Sequence, residues 1–426
     1  MVSPLLNSKK VFLFTLILLV QGVFYLKFLA LPLVVLILFN NGLSQKIKFD
    51  SISIFYCLII FIGSLSYFIE IFRSGFQVRG ALLVLFSLGM WLFYLIIYLM
   101  LKGWSYNREW NELEWVLESF FKINVIVCLF QYFLILFSYK VFNPFASELA
   151  TSAGDNFKGL FANSSVNMVV CAFYSIYFLI KNNIKFFGIS ILIILFTSYM
   201  SGVLIYFFAF GLFFLFSNKV NFKLKLVSLS LFGILGLVLF LISYDNIIYA
   251  YTIIESVFTL SPPRKVVSFA QTVDFLKSDV LTFLFGASPA HFSSRFAFIG
   301  GGEFVNWYPS FLTFRSGAFN VNHFQLWNNE VLSIPFNDGT GNQPFSVYNQ
   351  IFGEYGLIGF LCLIAFYLNG VWNRLRGSSY VFLILISLLL FFLLDYWFEY
   401  LATMIMFELL IIGIDRYRIS KLDHRF

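Results

Sequence analysis

The residues best suited to chemistry lie in polar patches between long apolar runs. The stretch FSVYNQIFGEYGLIG, residues 345–359, opens with Ser346, Asn349, Gln350 and Glu354 before turning apolar. If Ser346 caps a helix there, Glu354 lies roughly 12 Å below its mouth. A carboxylate at that depth costs about 2.5 to 3.5 kcal/mol on insertion scales unless it faces protein or water. Glu354, Glu303, His291 and His323 are the candidates for taking a proton, since carboxylate and imidazole are the usual general bases. Arg264, Arg295, Arg315 and Lys158 are the candidates for pairing with phosphate oxygens, which Arg does bidentately. Asn349 and Gln350 add neutral polar contacts, and Trp307, Tyr308 and Trp327 could stack on a ligand's rings or form the core of a folded loop.

These groups need a scaffold, and composition says which kind. The chain is 60% hydrophobic and only 12% charged over 426 residues, which places it among integral membrane proteins. Apolar runs predict spans near 11–25, 27–41, 52–70, 80–101, 119–139, 163–180, 184–199, 202–217, 224–243, 347–368, 379–396 and 399–414. With twelve spans and an inner N-terminus, 17 of the 28 basic residues fall on the cytoplasmic side, and the short outer loops hold only Arg73, Arg79, Lys140 and Lys158. The predicted fold is therefore an all-α polytopic bundle of about twelve helices with one large outer, periplasmic loop between spans 9 and 10. Its parts are an N-terminal bundle over 1–243, the loop over 244–345, and a C-terminal segment over 346–426 with a basic cytoplasmic tail.

The net charge of +7 is spread over many loops, so it reflects topology, and nucleic acid is not an expected partner. Cys57, Cys128, Cys171 and Cys362 fall inside apolar spans, and His291, His323 and His424 are far apart, so no metal and no cofactor is expected. Residues 102–118, rich in Trp and Glu, read as an interfacial amphipathic helix. The bland readings remain open. Glu354 and Gln350 share a helix face and could join helices, Arg264 could meet lipid phosphates, and the glycines 353, 356 and 359 suit close packing.

Four motifs share the predicted outer face: FKGLFANSSVN (157–167), TSYMSG (197–202), SPPRKVVSFAQTVDFLKSDVLTFLFGASPAHF (261–292) and the opening stretch. A Gly-Leu-Phe-x-Asn turn, a later Ser/Gly turn, a loop beginning with Arg, an aliphatic-Phe-Gly turn and Glu-x-Gly-Leu-Ile-Gly in a closing span resemble the O-antigen polymerase and ligase superfamily, over residues 155–370. The resemblance implies a Wzy-type polysaccharide polymerase of the bacterial inner membrane, a metal-independent glycosyltransferase working at the periplasmic face. Donor and acceptor would be undecaprenyl-diphosphate-linked oligosaccharides, the bilayer its surroundings, and a chain-length regulator and a flippase its candidate partners. Arg264 matches the loop-opening arginine, Gly286 the glycine that follows, and Lys158, Gly159 and Asn163 the basic turn. Two departures stand out: Tyr199-Met200-Ser201-Gly202 lacks a Ser-Arg pair, and no His precedes the closing span, which disfavours a ligase transferring glycan to lipid A core or protein. A lipid-linked sugar transporter would instead place ionisable residues at mid-bilayer in two repeats. A membrane sensor with an outer cap is a third class.

Overall fold

The computed structural model describes residues 9–22, 24–42, 49–140, 142, 157–197, 199–216, isolated positions between 230 and 241, 244–257, 262–305, 307–334 and 339–423. Among them the chain is helical, with no strand. Four helical stretches are long and apolar enough to cross a membrane: Ser51–Ser74 (α3), Val78–Tyr106 (α4), Trp110–Tyr139 (α5) and Thr340–Leu375. The last contains the helix Val347–Cys362. Shorter apolar helices include Leu29–Phe39, Ser164–Ile180 (α6), Ile184–Phe196, Met200–Phe216 and Val381–Phe391. Most of the predicted span over 224–243 lies outside the described residues.

Polar groups pin the two ends of the bundle. At one end Asp50 caps α3 by accepting from the Ser53 amide at 3.2 Å, and its carboxylate pairs with Arg374 and with Lys102 at 3.3 Å. At the far end of α3, Arg73 pairs with Asp279 at 2.5 Å and donates to Thr282 at 3.0 Å. That pair carries the chain from 262 onward to the Arg73 end, where it folds into short helices: Arg264–Leu276, Val280–Phe285, Arg295–Gly300 and several single turns.

Residues 102–118 form no separate interfacial helix. They are the end of α4 and the start of α5, with a turn between. Trp104 is wholly buried, and Glu118 and Glu114 both pair with Lys181, the former at 2.9 Å, so the acidic face is satisfied within the bundle.

The helix that begins at Ser346 is broken. Ser346 caps it, accepting from the Tyr348 amide at 3.1 Å, but Gly356 has φ 63° and ψ −163°, a conformation essentially confined to glycine. A break frees carbonyls that the next turn would otherwise pair. Here the Gly353 carbonyl accepts from the Ala287 amide at 2.8 Å and the Glu354 carbonyl from the Ser288 amide at 3.2 Å. Gly286, at φ 73°, lies so close that a Cβ on it would stand 2.5 Å from the Glu354 carbonyl carbon, and one on Gly356 would stand 2.4 Å from Leu284. Two backbones thus cross without side chains between them, joining the third and fourth sequence motifs.

Candidate functional site

Glu354 sits beside that crossing, fully buried. One carboxylate oxygen accepts from the amides of Phe292 at 3.3 Å, Ser293 at 3.0 Å and Ser294 at 2.8 Å, and the other from Ala290 at 2.9 Å. Four amides reduce the cost of burying the charge. Residues 264–300 cover the polar start of the helix, and Asn349, Gln350 and Glu354 are all buried. The carboxylate shapes the 290–294 loop.

The same loop delivers Arg295. Its backbone amide donates to Glu399, and its guanidinium lies 5.2 Å from the centre of the Tyr400 ring. Gln350 donates to the other Glu399 oxygen at 3.0 Å. Around this turn Asn163 reaches the Tyr400 hydroxyl, Tyr199 lies within electrostatic range of Asp395 and Tyr400, and Lys27 lies within range of Arg295. From the third motif Lys265 donates to the Leu394 carbonyl at 2.8 Å and lies within electrostatic range of Asp395, so all four sequence motifs meet at or beside the turn Asp395–Tyr400. Three buried atoms there, Arg295 Nε, Gln350 Oε1 and the Tyr396 hydroxyl, find no hydrogen-bond partner among the described residues. Orphaned buried polar atoms mark where water or a ligand belongs. Two of the three are donors, which suits a ligand rich in acceptor oxygens.

His291 lies on the other side of the loop, buried, with Nδ1 2.6 Å from Glu70 Oε2. It lines a cleft of about 90 Å³ with Tyr67, Glu70, Gln77, Gly80, Phe314 and Arg315 among others. Arg315 is held there by Glu303 at 2.8 Å and by the Gly301 carbonyl at 2.8 Å, so these two predicted site residues neutralise each other.

His323 is enclosed and satisfied. Its ring nitrogens meet Ser293 Oγ at 2.9 Å, the Ser268 carbonyl at 3.1 Å and Thr272 Oγ1 at 3.2 Å, while Asn349 joins Ser268 and Thr272 from the facing helix. Burial lowers its pKa to about 4, so it stays neutral and ties the short helices to the broken one. Trp327 is buried among Phe298, Phe319, Phe324, Phe345 and Tyr396, with the Arg264 guanidinium 5.6 Å from its ring centre. Trp307 is exposed beside Tyr308, 6.3 Å between rings. Lys158 is half-buried in the turn that precedes Asn163, which caps α6; Gln131 and Asn124 of α5 fix that turn through the Gly159 and Leu160 amides, each at 2.9 Å.

Sequence reasoning did not single out Glu70, Asp395, Tyr396, Glu399 or Tyr400, and it left Lys27 inside a span. The signal was present: DYWFEY puts two carboxylates four residues apart between apolar runs, and ionisable residues in such positions need partners. No protein-family model matches the chain, and no curated protein matches it.

Proposed function

We propose that this chain polymerises undecaprenyl-diphosphate-linked oligosaccharide repeat units into a surface polysaccharide at the outer face of the bacterial cell membrane. The observation that carries the reading is the meeting of four motifs, dispersed from residue 157 to 359, at the turn Asp395–Tyr400 beside Arg295. Their common end of the bundle is what a twelve-span chain with residues 244–345 outside would require.

Arg295 carries one of the orphaned polar atoms, and Lys27 lies within electrostatic range of it. Two like charges brought into range of one another favour an anion between them, and a departing diphosphate gathers charge that Arg295 can pair with. Lys158 and Arg264 lie on the flanks of the same assembly and serve the carrier's phosphates, whereas Arg315 is spent on Glu303. Asn163 and Gln350 orient the sugar end, and direct displacement inverts the donor anomeric centre. Glu354 acts through the loop it holds.

The test is a deletion strain. Loss of chain growth alone leaves single repeat units on the carrier lipid or at the surface. Long chains accumulating on undecaprenyl diphosphate would identify a ligase and overturn the proposal, and single units trapped on the cytoplasmic side would identify a flippase. Electrophoresis of surface glycan with carrier-lipid analysis separates the three.

A further inference from the structure

Four proton acceptors are candidates, and the surroundings of each differ. Glu354 has both oxygens occupied by four amides. His323 has both ring nitrogens engaged, and Glu303 is shared between Arg315 and the Asn329 amide at 2.8 Å. His291 is different: one nitrogen faces the Glu70 carboxylate at 2.6 Å, and Nε2 finds no hydrogen-bond partner among the described residues although it is buried. A carboxylate accepts only, so Nδ1 carries the proton, and in the neutral ring it is Nε2 that presents the lone pair.

Nε2 lies in the wall of the cleft, packed beside Gly80 and Phe314, which line it with His291. Gly80 of α4 lines it, and a Cβ there would stand 3.3 Å from Nε2 and 3.0 Å from the Phe314 ring. A methyl there would press on both rings, so glycine lets α4 pack closely against them. Tyr67, Glu70 and Arg315 are the titratable and charged groups that share the cleft with His291, the first two from α3 and the last from the 313–316 segment. Its walls otherwise carry Ser74, Gln77 and Ser316 with the Phe314 face, a mixture that suits a hydroxylated ring. Its volume of about 90 Å³ is room for several waters, or for the hydroxyl-bearing edge of one ring entering from the surface.

We infer that His291, held in its tautomer by Glu70, takes the proton of the acceptor sugar's hydroxyl, and that the cleft receives the acceptor. This rests on the polymerase reading. The hydroxyl oxygen forms the bond to the donor's anomeric carbon while its proton moves to Nε2. The bond from that carbon to the diphosphate oxygen breaks, and undecaprenyl diphosphate leaves with the electron pair. His291 is the catalytic residue of this step, and Glu70 is a positioning residue.

Membranes of the deletion strain carrying plasmid-borne variants, supplied with the strain's own lipid-linked repeat units, provide the test. His291→Gln should lower kcat about 100-fold or more, the range of a lost general base, with protein abundance unchanged. Glu70→Gln should lower kcat with KM unchanged, and Glu70→Asp should restore part of it, which a packing role would not do. Gly80→Ala should raise KM by pressing a methyl against Nε2 and the Phe314 ring in the cleft wall. Wild-type kcat in His291→Gln overturns the inference. So does a Glu70→Gln variant that loses only abundance, and if His291→Gln fails to accumulate, the Glu70 and Gly80 variants decide alone. Long carrier-linked chains in the deletion strain would instead sink the polymerase reading, a distinct outcome.

Discussion

Replacing Glu354 by Gln separates a carboxylate that does chemistry from one that holds a loop. The wild-type side chain receives three amides on one oxygen, at 2.8 to 3.3 Å, and the Ala290 amide on the other at 2.9 Å. A carboxamide has a single acceptor oxygen. In its better orientation it keeps the three amides and turns an NH2 toward the Ala290 N–H, donor against donor. The loss of one charge-assisted bond is worth about 1.5 to 3 kcal/mol, and the unsatisfied buried donor adds to it. Relief from burying a charge works the other way and removes part of this, so the net effect is a loss of about 2 kcal/mol. An opening of that size is about a 30-fold faster amide exchange wherever the loop opens locally. Hydrogen exchange read by mass spectrometry on detergent-purified protein should show it over residues 287–294, with the melting temperature lowered and polymer yield falling in parallel. Wild-type exchange and melting in a Glu354→Gln variant that makes no polymer would refute the reasoning and return the carboxylate to direct chemistry.

Gly356→Ala should cost about 3 kcal/mol or more, from backbone strain and a Cβ 2.4 Å from Leu284, and deplete folded protein in size-exclusion profiles; Gly89→Ala on α4, with nothing within 4 Å, is the neutral control. Because burial lowers the folded-state pKa of His323 to about 4, below its unfolded value of about 6.5, its contribution is full above pH 6.5 and is lost as pH falls toward 4, about 3 kcal/mol in all. Melting of wild type against His323→Gln between pH 7 and 5 should therefore converge on acidification, and parallel curves would contradict it. Arg73→Ala removes an ion pair whose partners are 40% and 41% exposed, so it should change stability by less than about 1 kcal/mol, and raised salt should shrink the difference further. Arg295→Lys should keep protein in the membrane but lose most polymer, since an ammonium lacks the planar fork; normal polymer would remove Arg295 from the phosphate site.

The helices were legible wherever apolar runs were long and capped. Asp50 and Asn163 announce their helices, and the spans read at 52–70 and 163–180 correspond to Ser51–Ser74 and Ser164–Ile180. The short helices between 262 and 334 were not legible, because their stability comes from contacts with the bundle more than from any period of their own. Residues 345–359 were recognisable as special from one buried carboxylate, yet the reason for it was hidden. Its partners are backbone amides of residues 290–294, which carry no sequence signature. Gly356 looked like a packing glycine; its positive φ follows only from the crossing with Gly286. Glu70 was indistinguishable from any polar residue ending a span, since its partner lies 221 positions away.

The amide cage gives Glu354 a reason to lie so deep. His291 and Arg295 are four residues apart, so their Cα atoms can be separated by no more than about 14 Å. Between them run the amides of Phe292, Ser293 and Ser294, all tied to the one carboxylate, which also lies within electrostatic range of Glu399. A backbone fixed at its middle holds both ends, so the group that faces the cleft and the group that faces the orphaned polar atoms keep a set spacing without touching each other. Substitutions at His291 and at Arg295 should therefore be separable, the first acting on the acceptor side and the second on the diphosphate side. A substitution at Glu354 should disturb both together, because it releases the segment they share.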